Sequence, residues 1–263
     1  MNLGLHNYTA LVTGSGQGIG QTIALRLAQE RVKVAVNDIN AERASETVAK
    51  INDAGGAAIE AVFDITDYRA VQQGLHKIES EYGGVDILVN NAAFLLGHHD
   101  FLETSPDDWD REIKVCFYGA LNCCHVVAKG MVERKTGNIV SIASDAGRIG
   151  QAREVAYAAS KSAVIGMTKS LAQELGRYNI NVNAISPAGT DTPLRQSVEQ
   201  KELERLGEEK YRERERKILR LYPLRRIGKP EDIANMVVFL ASDAACNVTG
   251  QVISVNGGYA MPG

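Results

Sequence analysis

The sequence predicts an α/β fold, with one domain over residues 1–263 and a doubly wound parallel sheet carrying helices on both faces. Three observations predict it. Short apolar runs at 8–13, 32–37, 58–63, 86–90, 137–142, 180–185 and 250–255 alternate with helical segments, and a glycine-rich turn follows the first run. No Pro/Gly/Ser linker, internal repeat or low-complexity tract interrupts the alternation. A chain of 263 residues can bury a substantial core in a single domain.

The first run, Tyr8 to Val12, leads into Thr13-Gly14-Ser15-Gly16-Gln17-Gly18-Ile19-Gly20 and then a helical pattern through Ala28. Gly14, Gly18 and Gly20 lack the β-carbon that would hold a pyrophosphate off the backbone, and the helix N-terminus offers free N–H groups and partial positive charge. A dinucleotide fits this turn, which makes Gly14, Ser15, Gln17, Gly18, Ile19 and Gly20 candidate cofactor contacts. The second run leads to Asp38, eighteen residues beyond Gly20, where a carboxylate accepts hydrogen bonds from both hydroxyls of an adenosine ribose. Asp38 would repel a 2′-phosphate, and Gln17 and Ile39 stand where a basic residue would rescue it, so NAD is expected over NADP. The alternative is that Asp38 only shapes a turn.

After the fifth run comes Ser144, and thirteen residues later Tyr157-Ala158-Ala159-Ser160-Lys161. Four residues apart on a helix, the phenol and the ammonium share one face, where the positive charge is expected to lower a phenol pKa that is ordinarily about 10. A proton-transfer group, its activator and an oxyanion partner make the chain an enzyme. Taken alone, Tyr157 and Lys161 also describe an amphipathic face, and Ser144 a strand-end turn.

The net charge of −3 and pI near 6.0 give no reason to expect nucleic acid or an anionic membrane as partner. A small-molecule substrate is the expectation. No continuous apolar run approaches the roughly 20 residues that span a bilayer, and Met1 to Asn7 is too short and polar for a signal peptide, so a cytoplasmic location is expected. Cys116, Cys123, Cys124 and Cys246 lack metal-ligand spacing, and no metal is expected; the last three read as packing residues.

Taken in order, these motifs resemble the short-chain dehydrogenase/reductase family from Tyr8 to Met261. Further similar segments are Asp64 after the third run, Asn90-Asn91-Ala92-Ala93 after the fourth, Pro187 to Thr192 after the sixth, and Pro230-Glu231-Asp232 opening the last long helix. The resemblance implies a Rossmann-type sheet of seven strands and reversible hydride transfer between NAD and a secondary alcohol. Tyr157 would take the hydroxyl proton and also contact the cofactor, Ser144 would hold the substrate oxygen, and Lys161 would also hold the nicotinamide ribose. Asp64 and the Ile65 amide would meet the adenine edge, Asn91 the ribose, and Thr190 and Thr192 the nicotinamide side, with Thr192 on the carboxamide. By residue type alone, Asp64 and Asn91 are also turn formers and Thr192 a helix N-cap before Pro193. A homotetramer, formed through helices around 106–133 and 154–177 and the C-terminal strand, is implied by the resemblance.

Two positions depart from the family pattern. Cys116 stands where the family has an asparagine thought to hold a water of the proton relay, and a thiol holds water poorly. Asn122, about 240° further around a helix, faces elsewhere. Pro187-Ala188 replaces Pro-Gly, which would strain the loop if that position had positive φ.

The substrate loops should be 94–99, 145–154 and the segment after Thr192. Phe94, Leu95 and Leu96 suggest an apolar wall, whereas Asp145, Arg148, Gln151 and Arg153 suggest polar contacts; His98 and His99 read as a solvated loop. The stretch 192–222 resembles a helical substrate lid, in which nine basic residues face seven acidic ones from Arg195 to Arg220. That balance reads as a solvated helix, or as a landing site for a coenzyme A phosphate at Arg212, Arg214, Arg216, Lys217 and Arg220. The segment 130–146 also resembles dehydrogenases of alicyclic hydroxyacyl-CoA thioesters. The expected substrate is therefore a cyclic or aryl secondary alcohol or a hydroxyacyl thioester. The alternatives are a catalytically impaired NAD-binding sensor or partner subunit, suggested by Cys116, and a 3-oxoacyl-carrier-protein reductase, disfavoured by Asp38.

Overall fold

A computed structural model describes residues 3–262, so Met1, Asn2 and Gly263 of the expected domain lie outside the described residues. Strands β1 (Thr9–Val12), β2 (Lys33–Asp38), β3 (Ala57–Val62), β4 (Ile87–Asn90), β5 (Gly137–Ile142), β6 (Ile180–Pro187) and β7 (Val252–Val255) form one parallel sheet in the order β3-β2-β1-β4-β5-β6-β7. The expected strand ends move by at most two residues, and β6 is longer because Ser186 and Pro187 pair with Ser254 and Val255.

Alternation along each strand sends side chains to opposite faces, and both faces are apolar. Ala10 and Val12, Val34 and Val36, and Ile87 and Val89 join one core with helices α1 (Gly18–Gln29), α2 (Ala41–Asp53) and α10 (Pro230–Leu240). Leu11, Ala35 and Leu88 join the other with α3 (Tyr68–Tyr82), α5 (Gly119–Arg134) and α7 (Val155–Leu175). This is a Rossmann-type α/β fold. The order reverses between β1 and β4, so a crevice opens at the carboxyl ends of these central strands, where ligands of such sheets bind.

Helix α4 (Pro106–Ile113) runs through a π-helical turn, Lys114–Tyr118, into α5. By length and composition this run could cross a bilayer, yet Cys123, Cys124, Val127 and Met131 are buried in the core beneath it. It is a core helix. Cys246 corrects an expectation: it lies after the short turn Asp243–Ala245 and is exposed rather than packed.

Candidate active site

The β1–α1 turn has the shape the glycines suggested. Gly14 and Gly18 have φ of 60° and 59°; a Cβ at Gly14 would lie 2.8 Å from the Ala92 Cα, and one at Gly20 would overlap the Gly14 carbonyl oxygen. Asn91 braces the turn, its Nδ2 donating to the carbonyl oxygens of Thr13 and Gly14 at 2.9 and 3.0 Å. Gln17, at the N-cap of α1, makes no side-chain cap bond, and the first turn holds no acidic residue. Its N–H groups therefore suit an anion such as a dinucleotide pyrophosphate.

Asp38 reaches over this turn. Its Oδ2 accepts from the Gly16 amide at 3.0 Å and its Oδ1 from the Asn40 amide at 2.9 Å. Gln17 is exposed and Ile39 is 72 % exposed, and neither brings positive charge. Arg43, however, packs over Gly16 beside Asp38: a Cβ at Gly16 would lie 2.6 Å from Asp38 Oδ2 and 2.7 Å from Arg43 Cβ. That cation was not visible in the motif, because it comes from the first turn of α2. Asp64 Oδ1 accepts from the Thr66 amide and hydroxyl, both at 2.8 Å, Ile65 is buried against the side of α5 at Gly119, and Thr192 caps helix α8 (Pro193–Leu206), accepting from the Arg195 amide. Thr190 is buried, its hydroxyl donating to the Ala188 carbonyl at 3.1 Å.

On the other side of the crevice, Ser144 follows β5 and Tyr157 sits in the first turn of α7. Ser144 stands close enough to the Tyr157 phenol to act on its pKa, and its Oγ accepts from the Ala146 amide at 3.2 Å. Lys161, one turn further, is 2 % exposed and places Nζ 5.7 Å from the centre of the Tyr157 ring. Helical spacing gathers Tyr157 and Lys161, and the end of β5 brings Ser144 to them. The expected lowering of the phenol pKa is corrected: burial raises it above its ordinary value, reinforced by Cys116 and Glu154, and the neighbouring Ser144 hydroxyl opposes this only in part. Burial lowers the pKa of Lys161, whose ammonium donates to the Ile142 carbonyl at 2.7 Å.

Cys116 lies in the π-helical turn, 2 % exposed. Its Sγ accepts from the Phe94 amide at 3.4 Å and donates to the Phe94 carbonyl at 3.2 Å, and burial pushes the thiol pKa up. The side chain is used in holding the β4 loop. Asn122 faces elsewhere, donating to the Ile65 carbonyl at 3.0 Å.

Several of the residues expected to offer polar contacts to substrate are engaged by other side chains. Asp145 is buried, accepting from Ser186 Oγ and Asn256 Nδ2, each at 2.6 Å, so it braces β6 to the C-terminal segment. Arg148 turns to the Ser254 hydroxyl at 2.6 Å and the Pro262 carbonyl at 3.3 Å. Gln151 accepts from the Tyr259 hydroxyl at 3.3 Å, and Arg153 pairs with Asp100 at 3.0 Å. His98 is no purely solvated residue, since its Nδ1 meets Glu154 Oε1 at 3.0 Å, a contact that raises its pKa. Ala188 is not among the positive-φ residues and carries no such strain. The neighbouring glycine matters for space instead: the Gly189 amide donates to the Tyr222 hydroxyl at 3.1 Å, and a Cβ there would lie 2.8 Å from that oxygen.

The stretch 192–222, expected as a lid, holds two helices, α8 and α9 (Glu208–Arg220), broken at Gly207 with φ of 76°. Arg212 and Lys217 pair with Glu208 and Glu213, Arg214 donates to Glu199 at 2.7 Å, and Arg216 turns to the Arg212 carbonyl. These contacts favour the solvated helix over a phosphate landing site.

A family model described as enoyl-(acyl carrier protein) reductase matches residues 14–260. A 3-oxoacyl-[acyl-carrier-protein] reductase of Thermotoga maritima is 36 % identical over 98 % of this chain and 99 % of its own. The (2S)-[(R)-hydroxy(phenyl)methyl]succinyl-CoA dehydrogenase subunit of Thauera aromatica is 38 % identical, with the same coverage of each chain. Among solved structures, a 3-oxoacyl-[acyl-carrier protein] reductase with bound NAD from Brucella melitensis superposes with a TM-score of 0.84 at 33 % identity, covering 98 % of this chain and 94 % of that one.

Proposed function

We propose that this chain, which belongs to the short-chain dehydrogenase/reductase family, transfers a hydride between NAD and a secondary alcohol or ketone, with a hydroxyacyl or ketoacyl thioester as the leading substrate class. It is an oxidoreductase with a nicotinamide cofactor. The observation that carries the finer reading is the grouping of Ser144, Tyr157 and Lys161 across the crevice from the uncapped α1 turn. NAD, when bound, supplies the hydride acceptor. Ser144 Oγ would hydrogen-bond the substrate oxygen, and the Tyr157 phenol would exchange the proton at that oxygen. Lys161 would hold the nicotinamide ribose hydroxyls and favour the phenolate when it forms. Ile65, Asn91, Thr190, Thr192 and Asp64 would line the cofactor. Exposed Tyr118 in the π-helical turn, Leu121 on α5 and Val155 on α7 suit helix contacts in a homotetramer.

Asp38 supports NAD. Replacing it by Ala removes the carboxylate that would hold the ribose and repel a 2′-phosphate, and leaves Arg43 beside the same place. The NAD/NADP ratio of kcat/KM should fall by about tenfold or more, from the loss of charged hydrogen bonds. An unchanged ratio would refute the role. Arg43 and the reductase relatives also favour a second reading, an NADP-linked 3-oxoacyl-carrier-protein reductase. Wild-type preference for NADP in the same assay would select it.

The pH dependence follows from Tyr157. Because its pKa is raised, the neutral phenol dominates at neutral pH. Ketone reduction, which uses that proton, should hold through neutral pH and decline only in alkali. Alcohol oxidation needs the phenolate and should rise by about tenfold per pH unit below the pKa. Profiles of kcat/KM in both directions at saturating cofactor check this, and oxidation that falls between pH 6 and 9 is the contrary result.

A further inference from the structure

Glu112, in the last turn of α4, is a buried carboxylate that this mechanism does not use. It is 5 % exposed, and its Oε1 accepts from the Leu96 amide at 2.8 Å. Among the described residues it has no ion-pair partner: Arg153 pairs with Asp100, and Arg111 stacks on the Phe94 ring at 4.0 Å. The only sealed side-chain polar atom without a partner among those residues is Asn90 Oδ1, so the second Glu112 oxygen is not sealed. Glu112 lines a cavity of about 20 Å³ together with Leu96, His99, Thr104, Trp109, Arg153 and Glu154. The Glu154 side chain across the cavity is 9 % exposed and holds His98. Val155 and Ala156, which adjoin Tyr157 in the first turn of α7, also line the cavity, so it lies beside the turn that carries the proton-transfer residue.

A buried carboxylate with one hydrogen bond and no countercharge is costly unless a further donor satisfies it. A second carboxylate on the opposite wall repels an anionic ligand group. The volume fits one water-sized group. We propose that Glu112, with Glu154 across the cavity, binds a second hydroxyl of the substrate, carried beyond the carbon that exchanges hydride. Glu112 is on this view a specificity-determining residue. The inference rests on the dehydrogenase reading and narrows it to hydroxylated substrates.

The test uses the full chain and substrate pairs differing by one hydroxyl: cyclohexanol against cyclohexane-1,2- and 1,3-diol, 1-phenylethanol against its ring-hydroxylated analogues, and 3-hydroxybutanoyl-CoA against 3,4-dihydroxybutanoyl-CoA. In at least one pair the wild type should favour the hydroxylated member in kcat/KM by about ten- to a hundredfold, the range of a hydrogen bond to a charged group. Glu112→Gln, which keeps an acceptor for the Leu96 amide, should cut that ratio by about tenfold, mostly through KM, and Glu112→Leu should erase it. Glu154→Gln should cut it less, because His98 already takes part of that charge. Turnover without a hydroxyl preference in any pair, or with one that the Glu112 variants leave intact, overturns the proposal and leaves the cavity to a structural water. Absence of hydride transfer with every substrate and either cofactor overturns the dehydrogenase reading, and this inference with it.

Discussion

Tyr157→Phe is expected to lower kcat by about 10²–10⁴-fold, the usual share of positioned acid–base catalysis, with the cofactor's dissociation constant little changed. The phenol oxygen stands beside Ser144 at the end of β5, with Lys161 one helical turn away. Its removal deletes the proton path and leaves the fold nearly intact, because the ring remains and at most one hydrogen bond, about 1 kcal/mol, is lost. Steady-state rates together with cofactor titration by fluorescence separate the two effects. A Phe variant retaining more than a tenth of wild-type kcat would remove Tyr157 from the chemistry.

Lys161→Met should be nearly as damaging for a different reason. The ammonium is buried, donates to the Ile142 carbonyl at 2.7 Å and has a pKa lowered by burial. A charged donor held there strengthens whatever oxygen it meets, since a hydrogen bond to a charged group is worth about 1.5–3 kcal/mol. Losing both the ribose contact and the support of the phenolate should reduce kcat/KM for NAD by about 10³-fold, with KM and kcat both affected. Thermal stability should change little, because Met fills the space and a desolvated charge disappears. A large loss of melting temperature with a normal kcat/KM would make Lys161 a structural residue.

The chemistry written in local spacing was legible before the structure. The glycine turn needs close backbone approach, which Gly14 and Gly20 show by the contacts their β-carbons would make. Four-residue spacing gathers Tyr157 and Lys161, and short apolar runs alternating with helical segments announce the parallel sheet whose two faces are both buried. What stayed hidden depends on contacts distant in sequence. Asp145 looks like a pocket residue until Asn256, 111 residues later, donates to it. Arg43 reaches Gly16 from another helix, and Glu112 finds its role only where the β4 loop folds back through Leu96. The direction of the Tyr157 shift is not legible in sequence, because desolvation is a tertiary property and helical spacing reports only the neighbouring charge. The break between α8 and α9 is legible at Gly207, a lone glycine in a charged helical run.

The central claim is that a carbinol hydride passes directly to a nicotinamide in a site built on Tyr157. The most direct measurement uses secondary alcohols and 3-hydroxyacyl-CoA thioesters deuterated at the carbinol carbon, incubated with NAD and the wild-type chain, with the reduced cofactor analysed by mass spectrometry and proton NMR. The account predicts one deuterium at C4 of the nicotinamide per turnover, on a single face, with labelling about 10²–10⁴-fold slower for Tyr157→Phe. Product formed with deuterium lost to water and none in the cofactor would contradict it.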